Sequence, residues 1–396
     1  MKLMISDYLQ RKVEQGSWIR KLFEEGIKLK KQYGEDEVFD FSLGNPIVDP
    51  PQELHDILID ILQSPAPGLH RYIENQGLPE TRQKVAEFLT GRFGKTFSAS
   101  TVVMTVGAGG GMNVVMKSIL NPGDEVILLT PYFVEYDYYV ENHGGKAVHC
   151  ELDEVFQIDA EKVEACLTPK TKAIILNSPH NPTGTVLTQA SVDALGALLA
   201  KKEAEYGHAI YLCYDDPYGQ LVYDVVPPNP CKSYRHTIVV SSFSKDLGIA
   251  GERLGYIGVP ADMELADTLT KAFVFSNRIL GFVNAPSFMQ RAIARMESLT
   301  VEPTEYRKRR DAMAEILREA GFSFVSPDGG IFIFPKTPIE DDVEFCQIAA
   351  EKHRILIVPG SGFGRKGYFR LSYSVPFEQI ERSRDRFKAL YESFTK

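Results

Sequence analysis

The chain has 396 residues, of which 44% are hydrophobic and 24% are charged, and this composition excludes a disordered or collagen-like protein. It carries 44 Lys and Arg residues against 53 Asp and Glu residues, so its formal net charge is −9. That sign argues against a nucleic-acid-binding protein, which normally presents a basic surface. No apolar run approaches the ~20 residues of a membrane helix, and the N-terminus shows no signal-peptide pattern, so we expect a cytoplasmic protein without membrane association.

Cysteine and histidine spacing gives no sign of a metal site. The five cysteines are widely spread and form no Cys-x-x-Cys pair, which argues against a zinc site and against a disulfide framework. His143 and His149 have no partner at the spacing of zinc ligands. We therefore expect no bound metal, and free thiols in a reducing compartment.

The first fifty residues predict an N-terminal arm. Ser17 is a candidate N-cap for a helix over residues 18–33. Residues 38–41 predict a short strand, and Asp49 and Pro50 suit the N-cap and the first position of the next helix.

From residue 79 onward, helices and short apolar strands alternate. The predicted helices cover 79–93, 112–120, 133–142 and 188–205, and the predicted strands cover 101–106, 125–129, 172–176, 210–214 and 238–242. A βαβα order with continuous apolar strands is typical of a parallel sheet that is covered on both faces, so we predict an α/β fold. In such sheets, ligands bind beyond the C-terminal ends of the strands.

The pattern changes after about residue 300, where a smaller α+β domain is predicted. Its helices are expected at 303–320, at 342–352 and from 377 onward, and its strands at 322–325, 330–334, 355–358 and 369–373. We therefore predict three parts: an N-terminal arm with part of the small domain (1–48), a large binding domain (49–295) and a small C-terminal domain (296–396).

A glycine run, Gly107-Ala108-Gly109-Gly110-Gly111, lies between a predicted strand and a predicted helix. Met112 stands where a dinucleotide fingerprint requires glycine, and Leu89 stands where a P-loop ending at Gly94-Lys95-Thr96 requires one, so both nucleotide signatures fail. Glycines let the backbone approach an anion, and a helix N-terminus offers free N–H groups. The run therefore predicts a phosphate cradle, with an ordinary tight turn as the alternative.

Polar side chains follow the ends of three other predicted strands. Asn181 follows the strand at 172–176, Asp215 and Tyr218 follow the strand at 210–214, and Lys245 and Arg253 follow the strand at 238–242. Because the C-terminal ends of parallel strands meet at one edge of a sheet, we expect these side chains to share one crevice with the glycine run.

This set of groups matches what pyridoxal phosphate (PLP) requires of a protein. Lys245 supplies an amine for a Schiff base, and Asp215 supplies an anion that keeps the pyridine nitrogen protonated. Asn181 and Tyr218 offer hydrogen bonds to the phenolic oxygen. The phosphate requires backbone N–H groups, a hydroxyl and a cation, which are offered by Gly107, Ala108, Gly109, Ser242 and Arg253.

Five motifs in fixed order carry a family resemblance over nearly the whole chain. They are Tyr72-x-x-x-x-Gly77-Leu78-x-x-x-Arg82, Asn181-Pro182-Thr183-Gly184, Asp215-x-x-Tyr218, Ser242-Phe243-Ser244-Lys245 with Arg253, and Phe369-Arg370-Leu371-Ser372. With them the chain resembles the fold-type I, class I/II aminotransferases that use PLP, typified by aspartate aminotransferases. The resemblance implies a large domain with a mostly parallel, seven-stranded type of sheet flanked by helices, and a smaller α+β domain.

The resemblance also implies roles for single residues. Tyr72 looks like the tyrosine that reaches the phosphate of the partner subunit, which implies a homodimer with shared active sites. Phe133 matches the aromatic residue that stacks on the cofactor ring. Arg370 matches the arginine that binds the substrate α-carboxylate, for which a guanidinium is shaped, and Gly44 matches the glycine beside that carboxylate. Asn181 is expected to contact the substrate as well as the cofactor.

One departure concerns the side chain of the substrate. Some aspartate aminotransferases carry a lysine in the phosphate turn, which meets the substrate side-chain carboxylate, but Gly109 stands at that position here. Arg278 is a candidate replacement that reaches across the dimer, with a plain surface charge as the alternative. The family places the pyridine partner three residues before Tyr218, so Asp215 takes that role and Asp216 is expected to be a bystander.

The expected activity is transfer of an amino group from an L-amino acid to a 2-oxo acid by a ping-pong mechanism through Lys245. A PLP-dependent lyase on the same scaffold, of the carbon–sulfur β-lyase or aminocyclopropane-carboxylate synthase type, is the alternative, and a requirement for an oxo-acid acceptor separates the two. A ligand-sensing domain of a DNA-binding regulator is a further alternative, although no DNA-binding segment is seen before Trp18.

Overall fold

The computed structural model describes residues 5–15, 26–64 and 66–395. Of the predicted helix over 18–33, residues 26–33 are helical, while Ser17 and residues 18–25 lie outside the described residues. The chain divides into two compact units. The small unit comprises Met1–Asn45, Tyr306–Pro327 and Ile331–Lys396, and the large unit comprises Pro46–Glu305 and Asp328–Gly330.

Twelve strands are found among the described residues. In chain order they are Phe39–Asp40 (β1), Val102–Thr105 (β2), Glu125–Thr130 (β3), Lys146–Glu151 (β4), Thr171–Asn177 (β5), Tyr211–Asp215 (β6), Thr237–Ser242 (β7), Gly255–Gly258 (β8), Phe332–Ile333 (β9), Ile355–Leu356 (β10), Val358–Pro359 (β11) and Phe369–Ser372 (β12).

The helices of the described residues fall between and around these strands. In chain order they are Asp7–Gln15 (α1), 26–33 (α2), Gln52–Gln63 (α3), Pro79–Phe93 (α4), Gly107–Ile119 (α5), Glu135–Glu141 (α6), Ala160–Cys166 (α7), Gln189–Tyr206 (α8), Pro230–Ser233 (α9), Phe243–Asp246 (α10), Ala266–Ile279 (α11), Ser287–Ile293 (α12), Thr304–Ala320 (α13), Asp342–His353 (α14), Phe377–Arg382 (α15) and Arg384–Thr395 (α16). Within this part of the chain, no helix has the length and apolar composition that crossing a bilayer requires.

A seven-stranded sheet forms the centre of the large unit, in the order β2-β8-β7-β6-β5-β3-β4. The pairs β3–β4, β3–β5, β5–β6 and β6–β7 are parallel, and β8 runs antiparallel to both of its neighbours. The predicted α/β fold with a mostly parallel sheet is confirmed.

The apolar strands are buried because helices cover the sheet. Every residue of β2, β3, β7 and β8 is buried, and this burial explains why β2, β3 and β7 show runs of apolar residues rather than alternation. A continuous core joins the sheet to α5, α6 and α11. Local signals set the helix ends: the Thr188 side chain accepts a hydrogen bond from the Ser191 N–H at the start of α8, and Gly207 ends it in the left-handed conformation.

The small unit contains two short sheets. β1 pairs with β10 in parallel, and β12 lies between β11 and β9 with antiparallel pairing to both. Aromatic rings fill its core: Phe322 contacts Phe345, Phe369 and Tyr391 with centroid distances of 6.0, 5.4 and 4.9 Å.

Three sequence predictions about local structure need correction. The strand predicted at 322–325 is wrong: Phe322 is buried by ring contacts, and no strand ladder forms there. Helix α3 begins at Gln52 rather than Pro50, because a following proline holds Pro50 away from the helical conformation. Helix α5 begins at Gly107 rather than Met112, so the glycine run is its first turn. Close packing explains why glycine stands inside this helix, since a Cβ on Gly111 would lie 2.9 Å from the Val240 side chain.

Candidate active site

The register of the large sheet brings the polar strand ends to one edge. Asn177, the last residue of β5, pairs with Asp215, the last residue of β6. Ser242 at the end of β7 pairs with Gly255 on β8, which also pairs with Thr105 at the end of β2. The segments that follow these strands carry most of the residues singled out from the sequence, so they begin side by side.

Asp215 is a buried carboxyl group with one unused oxygen. Its Oδ2 accepts a hydrogen bond from the Tyr136 hydroxyl, while Oδ1 has no hydrogen-bond partner among the described residues. Burial raises the pKa of Asp215 to about 7; the Tyr136 bond lowers it, and the charge of Asp216 raises it further. Oδ1 can therefore accept a hydrogen bond from an N–H group of a bound molecule, and a cationic N–H would favour the ionised form.

Two asparagines fix the backbone beside Asp215. The Asn177 amide donates to the Asp215 carbonyl at 2.9 Å, and its Oδ1 accepts from the Asn181 backbone N–H at 2.8 Å. Both side chains are buried. Asn181 is thereby held next to the strand end that carries Asp215.

The glycine run and Arg253 meet at the other side of this edge. Gly107 has a φ of +70°, and a Cβ there would lie 2.7 Å from the Arg253 guanidinium. The guanidinium can pack against this turn only because the residue is glycine. Arg253 is exposed, and its Nη1 donates to the Ala250 carbonyl at 3.0 Å. The first N–H groups of α5 and this cation together can hold an anion.

Lys245 lies on α10, a single helical turn that directly follows β7. The Ser242 hydroxyl caps this turn by accepting a hydrogen bond from the Ser244 N–H. Phe243 and Asp246 are buried, whereas Ser244 and Lys245 are half-buried, so the lysine lies on the face of the turn away from the core. The primary amine is thus carried at the same edge as Asp215.

Tyr218 and Phe133 complete the set in the large unit. Tyr218 is buried, and a Cβ on Gly330 would lie 3.9 Å from its ring. Phe133 is half-buried, and its ring meets Tyr136 edge-on with a centroid distance of 5.6 Å. Tyr136 also bonds to Asp215, so Tyr136 lies between the Phe133 ring and the carboxylate and contacts both.

Arg370 and Gly44 lie in the small unit and are close to each other. The Arg370 guanidinium lies over the rings of Phe332 and Phe363, at 4.3 and 4.6 Å from their centroids, and donates to the Ser42 carbonyl at 2.9 Å. A Cβ on Gly44 would lie 2.6 Å from the Phe332 ring, so glycine is needed for this close approach. Two aromatic faces and a backbone carbonyl hold the guanidinium in place.

Tyr72 and Arg278 differ from the residues gathered at the sheet edge in their exposure. The Tyr72 side chain is 88% exposed. Arg278 is exposed on α11, with its guanidinium 5.1 Å from the centroid of the Phe275 ring. Within a single chain, both side chains are therefore presented to solvent rather than buried with Asp215.

Tyr136 and Tyr139 were missed in the sequence analysis. Burial raises the pKa of Tyr136 well above its usual value, so the phenol keeps its proton and its hydroxyl donates a hydrogen bond to Asp215. A Cβ on Gly109 would lie 2.9 Å from the Tyr139 hydroxyl, so a longer side chain at 109 would displace this tyrosine. The only available signal was the three-residue spacing of Phe133, Tyr136 and Tyr139, which places them on one side of a helix.

Comparisons with known proteins all point to one family. The family model described as aminotransferase class I and II matches residues 36–387. The chain is 31% identical to a putative aminotransferase, YugH, of Bacillus subtilis over 98% of each chain. It is 30% identical to an aspartate/prephenate aminotransferase of Thermus thermophilus over 91% of this chain and 92% of that protein. A solved aminotransferase structure from Eubacterium rectale is 35% identical, covers 100% of both chains and gives a TM-score of 0.94.

Proposed function

Because the chain belongs to the aminotransferase class I and II family and is an aminotransferase, we propose that its cofactor is PLP, held through Lys245 and Asp215. The observation that carries this proposal is the buried Oδ1 of Asp215, which has no hydrogen-bond partner among the described residues. An acid with a pKa near 7 at that place suits a ring nitrogen that carries a proton.

Different residues at the sheet edge are assigned to different parts of the cofactor. Asp215 Oδ1 accepts the hydrogen bond of the ring N–H, and Asn181 and Tyr218 serve the phenolic oxygen. Phe133 stacks on the ring face. Gly107, Ala108, Gly109, Ser242 and Arg253 would hold the phosphate, and the close contact between Gly107 and Arg253 supports this assignment.

PLP, when bound, withdraws electrons from the Cα of the amino acid and so makes its proton acidic. The Lys245 Nζ takes this proton from Cα and later returns a proton in the same crevice, so one amine acts as both base and acid. Asp215 keeps a negative charge beside the ring nitrogen. Amino acid and 2-oxo acid react in turn at this one place, which gives ping-pong kinetics.

Four residues are assigned to substrate binding. Arg370 binds the α-carboxylate beside Gly44, because its guanidinium is already oriented by two rings and a carbonyl. Asn181 contacts the substrate as well as the cofactor. Arg278 is the candidate contact for a side-chain carboxylate. The Thermus thermophilus relative is named for aspartate and prephenate, so we propose these compounds as the first donor and acceptor to test.

A second copy of the chain completes the site in this proposal. Tyr72 is almost fully exposed, and α11 exposes Phe275 and Ile279 beside Arg278. Hydrogen bonds tie the loop after Tyr72 to this region, with Asn75 donating to the Val283 carbonyl at 2.9 Å. An apolar surface of this kind suits a homodimer interface, across which Tyr72 reaches the phosphate of the partner. We further propose that the dimer works in the cytoplasm.

The test is a visible absorption spectrum of the PLP-loaded protein, repeated after single amino acids are added without an oxo acid. We expect one donor to change the band and to release one equivalent of its oxo acid, with reversal by a second 2-oxo acid. Ammonia and pyruvate formed without an acceptor would instead indicate a lyase, which no comparison favours. Lys245→Ala should retain cofactor and lose turnover, whereas the exposed Lys271→Ala should behave as wild type; turnover by Lys245→Ala would refute the role of Lys245.

A further inference from the structure

Directly behind the residues assigned above lies a buried ion pair between Arg92 on α4 and Asp216. The guanidinium donates through Nη1 to Oδ2 and through Nη2 to Oδ1, the latter at 3.0 Å. The two side chains are 11% and 0% exposed. Gly219 lies against both groups, where a Cβ would collide with them, so the loop after Asp216 closes over the pair.

Asp246 is a second buried carboxyl group in the same cluster. It is 2% exposed, and its Oδ1 has no hydrogen-bond partner among the described residues. The backbone N–H of Gln220 faces it, and the charges of Asp216 and Arg92 act on it with opposite sign. Burial and then Asp216 raise the pKa of Asp246 well above its ordinary value.

Other titratable groups of the cluster supply no further cation. Tyr214 donates its hydroxyl to the Ser178 carbonyl at 2.7 Å. Burial raises the pKa of Tyr256 and of Cys231, so both remain neutral. Two carboxyl groups therefore lie near one guanidinium, whose two hydrogen bonds both go to Asp216. A buried carboxylate that is not paired with a cation is strongly disfavoured, so Asp246 is best kept protonated.

Two members of the cluster are direct chain neighbours of the two residues that carry the proposed chemistry. Asp216 directly follows Asp215, the last residue of β6, so the ion pair with Arg92 holds the backbone at the end of this strand. Asp246 directly follows Lys245 on the single turn α10. Because Phe243 and Asp246 face the core, their burial determines the direction in which Lys245 leaves the turn.

We propose that Arg92, Asp216 and Asp246 form a buried anchor that holds the Lys245 turn against the end of β6, and that Asp246 serves in it as a neutral acid. The anchor acts through Lys245 and Asp215, so its three members are positioning residues. The inference rests on the proposed role of Lys245 and Asp215, and it gives Asp216 a task that its position in the motif did not indicate.

The test uses the PLP-loaded enzyme and compares Asp246→Asn with Asp246→Ala. Asparagine has the shape of the neutral acid, so Asp246→Asn should retain kcat within about twofold and leave the pH midpoint of the visible band unchanged. Alanine removes the anchor, so Asp246→Ala should lower kcat by about 10-fold or more at nearly constant KM, since small displacements of a reacting group are costly. Rescue by asparagine but not alanine identifies positioning by a neutral side chain.

Asp216→Asn is the matched charge control. In this proposal Asp216 is ionised and Asp246 is neutral, so only Asp216→Asn removes a negative charge. A nearby anion favours the protonated Lys245 nitrogen. Asp216→Asn should therefore move the pH midpoint of the visible band to lower pH by about one unit. Arg92→Gln leaves Asp216 unpaired, and the double variant Arg92→Gln with Asp216→Asn should retain more cofactor than Arg92→Gln alone.

Different results would contradict the charge state of Asp246, the positioning role and the proposed function. An equal shift of the midpoint in Asp246→Asn and Asp216→Asn would show that Asp246 is ionised and would overturn the inference. Asp246→Ala with wild-type kcat and wild-type midpoint would overturn the positioning role. If the alanine variant fails to fold, the comparison of the two asparagine variants still decides the charge state. Absence of a visible band in the wild-type protein would instead refute the proposed function, and this inference with it.

Discussion

Replacement of Asp215 by asparagine should change how the stability of the cofactor-free protein depends on pH. In the folded chain the carboxyl group is buried, its Oδ1 has no hydrogen-bond partner within residues 5–15, 26–64 and 66–395, and its pKa is raised from an ordinary 3.8 to about 7. The folded state therefore holds this proton more tightly than the unfolded state does. Between pH 4 and pH 7 the unfolded state loses the proton first, so stability falls as the pH rises through this range. The asparagine side chain of the variant cannot ionise and lacks this dependence.

The size of the effect follows from the pKa difference. A shift of about three units at 1.36 kcal/mol per unit corresponds to about 4 kcal/mol, reached above pH 7 and absent below pH 4. The assay is urea-induced unfolding of the cofactor-free wild type and of Asp215→Asn between pH 4 and pH 8. Because both proteins share all other titrating groups, the difference between their free energies of unfolding isolates Asp215.

The way in which this difference in free energy of unfolding changes with pH tests whether the pKa of Asp215 is raised. The wild type should lose stability relative to Asp215→Asn as the pH rises, and saturating PLP should reduce the loss by offering Oδ1 a cationic partner. A difference that stays constant, or that grows in favour of the wild type with rising pH, would mean that Asp215 has an ordinary or lowered pKa. The structural account of the orphaned oxygen would then be wrong.

Two further substitutions test the cofactor cradle and the carboxylate partner. Gly107→Ala places a Cβ 2.7 Å from the Arg253 guanidinium at a φ of +70°, so PLP affinity should fall by about 10-fold or more, as expected for a lost charge-assisted contact. Fluorescence titration of the cofactor-free protein measures this, and Gly251→Ala, where no atom lies within 4 Å of the new Cβ, is the control; equal affinities for both variants would contradict the cradle. Tyr136→Phe keeps the ring contact with Phe133 but removes the bond to Asp215, so the pH range over which Asp215 affects stability should move up by about one unit. Tyr139→Phe serves as the matched control, and a shift of equal size in that variant would argue against the specific bond.

The sequence alone was sufficient to predict the α/β fold with a mostly parallel sheet. Buried strands covered on both faces require continuous apolar runs, and these runs were readable at β2, β3, β5, β6 and β7. Two strands of the same sheet left no such signal. β4 lies at the edge of the sheet and carries the polar residues Lys146, His149 and Glu151, and β8 is short and begins and ends with glycine.

The chain order of the motifs placed Asn181, Asp215 and Lys245 at strand ends, and the family resemblance proposed their roles. Those predictions follow from local patterns, because a strand end and the residue after it are adjacent in sequence. The expected position of α5 was wrong for a related reason: glycine disfavours helices locally, whereas close packing against β7 and β8 requires glycine there.

Only the tertiary structure determined which side chains support these groups. Tyr136 and Asp215 are 79 residues apart, and Arg92 and Asp216 are 124 residues apart, so no pattern within one element relates them. Their bonds depend on how α6 and α4 pack against the sheet. Burial then determines the charge of each acid, because the pKa of a carboxyl group depends on desolvation and on neighbouring charges rather than on its place in a motif. The sequence by itself thus determined the order of the strands along the chain and which polar residues follow them, because both are local features. The tertiary structure decided which distant side chains bond to these residues and how deeply each acid is buried.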